Sequence, residues 1–274
     1  MIPAAASGQN DNNENCSSSS NMADDYYESL PSSSQPQTTI IAPQTIVSGL
    51  VKSASRLRGL TFGNKIDELL QGGLAPKTFT FVYGPGTEHM MNALCGNAIQ
   101  IFGGQAVYID AANSFDPYTI VRECFISQKN SEASDKLLQS ITISRAFTCY
   151  QLTDLVVKQL SDLIEARNNL KNSNNSAESQ IKFVCVSGVS SVFNEQDNSK
   201  AETERLQCLM AAALSKIISD RQNGVTFVVA ASKEKCNYFI SKSDVAIKVY
   251  GDKKSGEKAK LVKHYSRQFV EINL

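Results

Sequence analysis

The chain is 274 residues long, with 27 basic and 27 acidic side chains and a formal net charge of zero. Its 42% hydrophobic and 20% charged residues give a globular composition, which excludes a wholly disordered or fibrous chain. No run of about 18 apolar residues occurs, so no membrane-spanning helix is expected. No basic residue precedes an apolar N-terminal stretch, so no secretory signal is expected. Seven scattered cysteines form no C-x-x-C pair, and His89 and His264 are the two histidines. That argues against a disulfide framework or zinc site and for a reducing compartment, cytoplasmic or nuclear.

Zero net charge hides an asymmetry. Residues 1–50 hold five acids (Asp11, Glu14, Asp24, Asp25, Glu28) and no Lys or Arg. The remainder therefore has 27 bases against 22 acids, a net +5. A basic body permits nucleic-acid binding without requiring it. Residues 1–45 read as a disordered, acidic, Ser- and Asn-rich tail, because they offer too little apolar surface to offset ordering entropy. Residues 46–274 read as one core domain.

Within the core, strand and helix patterns alternate. Thr78–Tyr83 predicts a strand ending at Gly84, and Met90–Phe102 a helix stopped by Gly103 and Gly104. Gln105–Asp110 predicts a strand, Pro117–Ser127 a helix and Ile141–Arg145 a strand. Leu152, Leu155, Val156, Leu160, Leu163 and Ile164 line one helical face. Asn168–Gln180 reads as a polar loop and Phe183–Val186 as a buried strand. Leu206 to Ile218 keeps i, i+3, i+4 spacing until Gly224, and Val225–Ala230 is another buried strand. Val245–Tyr250 and Lys260–His264 form a hairpin pattern. The expected fold is α/β, a mostly parallel sheet flanked by helices, with a C-terminal antiparallel hairpin.

Leu69-Leu70-Gln71-Gly72-Gly73 precedes the first strand, and Gly84-Pro-Gly-Thr-Glu-His-Met-Met91 follows it. With Gly104–Asp110, Ser144–Phe147 and Lys182–Phe193, these segments stand in the order and spacing of one family. The chain resembles the P-loop ATPase core of RecA-superfamily recombinases of the RadA/RadB type, over roughly Arg56–Leu274. The resemblance implies a RecA-like core. It also implies a G-x-x-x-x-G-K-[ST] loop whose backbone cradles phosphates, with a Lys on the β/γ oxygens and a Ser/Thr on Mg²⁺.

Aligned without a gap from Gly84 through Gly86, that loop puts His89 at the second Gly, Met90 at the Lys and Met91 at the Ser/Thr. The Asp supporting the metal becomes Ser187. The water-activating Glu becomes Ala112, and the γ-phosphate sensors become Ala231 and Ser232. Degenerate Walker A and Walker B motifs imply a pseudo-ATPase with no ATP or Mg²⁺ requirement. Met90 and Met91 are expected to fill the vacated pocket or the core.

The same resemblance points to DNA loops at about Asn194–Thr203 and between Ser232 and Ser243. The second offers Lys233, Lys235 and Lys242 for phosphates, with Tyr238 and Phe239 for stacking on single-stranded bases. The alternative is a solvated loop whose aromatics tuck inward. Gly251–Arg267, with Lys253, Lys254 and Lys258 among its cations, carries a net +4. In the family a short apolar segment before the core docks on the neighbouring subunit; Ile40-Ile41-Ala42 or Ile46-Val47 could take that role as an added strand, the alternative being packing onto its own domain. The Arg145-Ala-Phe147 match reads as packing after a strand. Cys95, Cys185 and Cys208 sit on expected core faces. The expectation is a non-catalytic accessory protein of homologous recombination and DNA repair. Its partners would be single-stranded DNA, a RadA-type recombinase or paralogue, or a second copy of itself. The alternatives are a DNA-dependent ATPase of the RadA/RadB type and a KaiC-like signalling scaffold.

Overall fold

The computed structural model describes residues 59–62, 65–124, 131–169, 179–193, 198–220, 224–233, 236–252, 256–265 and 271–274. The tail, Ile40, Ile41, Ala42, Lys235, Lys253 and Lys254 lie outside the described residues. In chain order the elements are α1 (Ile66–Leu70), β1 (Phe79–Tyr83), α2 (Thr87–Phe102), β2 (Gln105–Asp110), α3 (Pro117–Cys124) and α4 (Ser131–Gln139). There follow β3 (Ile141–Arg145), α5 (Cys149–Asp154), a π-helical turn (Leu155–Gln159), α6 (Leu160–Asn169), β4 (Ile181–Ser187) and α7 (Val189–Phe193). The chain continues with α8 (Lys200–Ser219), β5 (Thr226–Ala231), α9 (Asn237–Lys242), β6 (Val245–Asp252), β7 (Gly256–Lys263) and β8 (Glu271–Asn273).

The strands form one sheet in the order β3-β2-β4-β5-β1-β6-β7-β8. β3 through β6 in that order pair parallel, and β7 and β8 add antiparallel. Strand periodicity splits the core in two. Phe79, Phe81 and Tyr83 point to one face with Val184, Val186, Phe227 and Val229, under α5 to α9. Val82, Tyr108, Phe183, Cys185 and Val228 point to the other, under α1 to α4. Both faces are covered, as a parallel sheet requires.

The structure departs from the sequence reading at several points, among them helix α4, which no pattern announced, and β7, which starts at Gly256 rather than Lys260. Helix α2 starts at Thr87, not Met90, because the expected loop was laid out on family spacing that this chain does not keep. The stretch expected as a loop between Ser232 and Ser243 contains α9. Cys208, expected in the core, is exposed, because α8 turns Leu206 and Met210 inward instead.

Burial raises the thiol of Cys236 to about 12. Burial, then Cys95 and Asp110 beside it, holds the thiol of Cys185 well above its ordinary value. Alkylation of the native chain at pH 8, mapped by mass spectrometry, is expected to mark Cys208 and to spare Cys95, Cys149, Cys185 and Cys236 until denaturant is added. Labelling of Cys185 as fast as Cys208 would contradict this packing.

Candidate functional site

In open parallel sheets, sites form at the carboxyl ends of strands where successive helices leave to opposite faces. β1 and β5 are neighbours here, and they meet that condition. Helix α2 after β1 packs Met91, Leu94 and Cys95 on one face. Helix α9 after β5 packs Phe239 on the other.

Between β1 and α2 lie three residues, Gly84, Pro85 and Gly86. Gly84 has φ 126°, and a Cβ there would stand 1.8 Å from the Val249 carbonyl oxygen. Its N–H donates to the Ala231 carbonyl at 2.9 Å. Gly86, at φ 75°, opens α2 with no side-chain cap. The buried Thr87 hydroxyl lies 3.0 Å from the Gly84 carbonyl and 3.1 Å from the Ala231 carbonyl, and donates to them. Glu88 then places a carboxylate in the first turn, where Ser191 Oγ donates to it at 3.5 Å. His89 is exposed, Met90 half-buried and Met91 fully buried in the core.

The positions around this turn are occupied by internal bonds. Ser187, buried at the end of β4, has its hydroxyl 2.8 Å from that of Ser114. Asp110, buried at the end of β2, accepts from the backbone N–H groups of Ala112, Ser114 and Phe115. It accepts from Ser114 Oγ too, so it folds the 111–115 turn. Ala112 sits against Gly188, where an added Cβ would be 2.3 Å from its own. Ser232 N–H donates to Ser190 Oγ at 2.9 Å. Burial pushes the Tyr108 phenol well up, and its hydroxyl lies 3.4 Å from Ser114 Oγ.

The expected nucleic-acid residues divide. Lys233 and Tyr238 are exposed on the α8–α9 side, beside Lys200, Thr203 and Gln207. Phe239 does not belong with them. It is fully buried and stacks on Phe81 at 5.5 Å between ring centroids, because its helical position turns it toward β1. Lys242 lies at the end of α9, which brings the chain back to the amino end of β6. Lys258 is half-buried on β7 opposite Tyr250, near the hairpin tip. The structure therefore does not gather Lys258 with Lys233. Lys263 donates to the Ile240 and Ser241 carbonyls and so caps α9.

A second surface was missed in the sequence. Among the described residues β3 is an edge strand, and Ile143, Phe147, Tyr150 and Leu209 beside it are exposed. Phe147 at 68% exposure overturns the reading of Arg145-Ala-Phe147 as packing. Ala146 does pack; the turn at Thr148 swings its neighbour outward. Next to it a cavity of about 770 Å³ is lined by Arg145, Gln151, Leu155, Arg205 and Leu209, along the π-helical turn. Such turns frequently mark functional positions in helices. No helix among the described residues is long and apolar enough to cross a membrane.

Two substitution pairs check this geometry by thermal or denaturant unfolding. Gly84→Ala should cost several kcal/mol, since it meets a backbone oxygen, while Gly86→Ala in open space should cost about 1–2 kcal/mol for its left-handed backbone. Phe239→Ala should cost about 3–5 kcal/mol and Tyr238→Ala far less. Equal costs within either pair would contradict the placement.

No curated protein sequence matches the chain. The Rad51 family profile matches residues 55–268, which takes in every element named above except β8. The eight-stranded sheet, its parallel register and its terminal hairpin agree with the RecA-like core of that match. The chain belongs to the Rad51 family.

Proposed function

We propose that this chain is a non-catalytic accessory member of the family. It engages single-stranded DNA, a recombinase, or both, without turning over ATP. Family membership supports the coarser statement, a recombinase-like role in recombination and repair. The observation that carries the finer reading is the three-residue turn between β1 and α2. A phosphate loop needs a longer wrap of backbone N–H groups before its helix begins. Here the helix has already started at Thr87, and Glu88 presents negative charge where phosphate oxygens would gather. Met90 and Met91 bring no cation and no hydroxyl. A triphosphate with Mg²⁺ does not fit this set of side chains, so no chemical step is assigned to it.

Lys233 and Tyr238 support the DNA half of the reading, as an exposed cation and an exposed aromatic at one end of the sheet. The open β3 edge and the exposed Ile143, Phe147 and Tyr150 support the protein half. An extended segment can add to such an edge by main-chain hydrogen bonds, with apolar side chains setting specificity. A recombinase, a paralogue or a second copy of this chain meets that description.

Phosphate release by the purified full chain, with and without single-stranded DNA, is expected to stay at the blank. The double change Met90→Lys with Met91→Thr is expected to leave it there, because it does not lengthen the turn. ATP turnover by the wild-type chain that disappears on His89→Ala or Met90→Ala would overturn the proposal and restore the ATPase reading.

A further inference from the structure

β6 leaves β1 after Lys248 and continues with β7 alone, and β8 follows on the far side of β7. One face of this extension is apolar: Ile247, Val249, Ala259 and Leu261 are buried there, and α1 packs on it. Strand alternation puts Lys248 and Tyr250 of β6, Lys258 and Lys260 of β7, and Glu271 and Asn273 of β8 on the other face. All six are half-buried or exposed.

Lys248 stands directly opposite Lys260, and Tyr250 opposite Lys258. Like charges directly opposed across strands destabilise a sheet. Glu271 is the acid opposite Lys260, but its carboxylate accepts from the Tyr250 hydroxyl. Lys248 Nζ lies 5.8 Å from the centre of the Tyr250 ring. Neither Lys258 nor Lys260 takes part in an ion pair among the described residues. Lysines that guard a sheet against edge pairing stand on the edge strand itself. Among the described residues that edge is β8, whereas these lysines stand on β6 and β7. Edge protection therefore does not account for them. An anion brought between the ammonium groups relieves their repulsion.

The face itself chooses among anions. Lys258 and Lys260 project two residues apart on one strand, roughly 7 Å, which is the spacing of alternate side chains in an extended peptide. Glu271 lies in the same array and calls for a ligand with hydrogen-bond donors; peptide N–H groups donate, and phosphodiesters cannot. None of the exposed large apolar side chains lies on these strands, as insertion into a lipid surface would need.

We infer that the lysine face of β6, β7 and β8 docks an extended acidic segment of a protein partner, with carboxylates on alternate residues meeting Lys258 and Lys260 and a further one reaching Lys248. The face lies at the opposite end of the strand order from β3. It rests on neither the DNA nor the ATP part of the reading above.

The test is fluorescence anisotropy of the full chain at low salt with four labelled probes. These are a ten-residue peptide alternating Glu and Thr, the same composition as a Glu block followed by a Thr block, a peptide alternating Gln and Thr, and a 20-nucleotide dT strand. Wild type is expected to bind the alternating Glu peptide, to bind the block peptide more weakly, and to leave the Gln peptide unbound. Lys258→Gln with Lys260→Gln should weaken the alternating Glu peptide by about fivefold, as the loss of two exposed ion pairs does, and should leave dT binding unchanged. Lys136→Gln with Lys216→Gln removes the same charge elsewhere and should change neither. Lys260→Gln alone should melt at or above the wild-type temperature, because it removes the like-charge pair. No binding of the alternating Glu peptide, equal binding of the block peptide, equal loss in the two double variants, or a drop of several degrees in the melting temperature of Lys260→Gln would each overturn the inference. Loss of dT binding in the Lys258→Gln, Lys260→Gln variant would assign the face to nucleic acid and overturn it as well. The function proposed above does not use these lysines and stands in every one of those cases.

Discussion

The Thr87 hydroxyl sits at the point where three strands meet. Its single proton serves the Gly84 and Ala231 carbonyls, so it ties the end of β1 to the end of β5. Gly84 in turn lies so close to the Val249 carbonyl that β6 is held against the same turn. Both contacts are buried, and a buried carbonyl without a donor would be costly. Helix α2 has to begin where that hydroxyl is, and this sets how much backbone remains free at the carboxyl end of the sheet.

A short turn has consequences on both sides of it. On the α2 side, Met91 reaches the core and joins Leu94 and Cys95. On the α9 side, Phe239 packs on Phe81, which stacks on Tyr83 at 5.3 Å. The hairpin meets the same turn through Val249. β6 pairs with β1 through Lys248 and then runs on through Asp252 with β7 alone, so its tip stands beyond the turn. The same hairpin returns to place Lys263 on the carbonyls ending α9. A lysine that looked like part of a charged face thus serves as a helix cap.

Alternation and periodicity made most of the fold legible. The strands at Gln105–Asp110 and Ile141–Arg145 were placed to the residue, because β-branched runs bounded by Gly or polar turns have few other readings. The short helix α9 was not legible. Six residues carry too little periodicity to separate a helix from a loop, and that cost the assignment of Phe239. The start of α2 was obscured for a different reason. Family spacing was imposed on Gly84–Met91, whereas Gly86 followed by Thr87 and Glu88 is itself a helix-start signal. Lys200 escaped notice because the packing of α8 against α9 is a tertiary fact. The exposed Phe147 escaped because one apolar residue after a strand reads as core until the chain is seen to turn.

Charge distribution then decides which interactions can carry affinity. Counted along the sequence, the C-terminal half looks basic enough for a broad phosphate grip. In the fold, Lys263 is committed to α9, Lys242 sits toward the amino end of β6, and Lys258 lies apart on the hairpin. Lys200 and Lys233 remain on the α8–α9 side, with Glu204 beside the first. Two phosphates neutralised on a single strand correspond to a salt slope of only about −1.4. So small an electrostatic contribution leaves the binding weak unless base contacts or a protein partner add to it. The β3 edge, open among the described residues, with Ile143, Phe147 and Tyr150 beside it, offers the second. Helix α8 borders both places, with Lys200 toward α9 and Arg205 and Leu209 toward β3. On the function proposed above, a strand and a protein partner held together would bind more tightly than either alone.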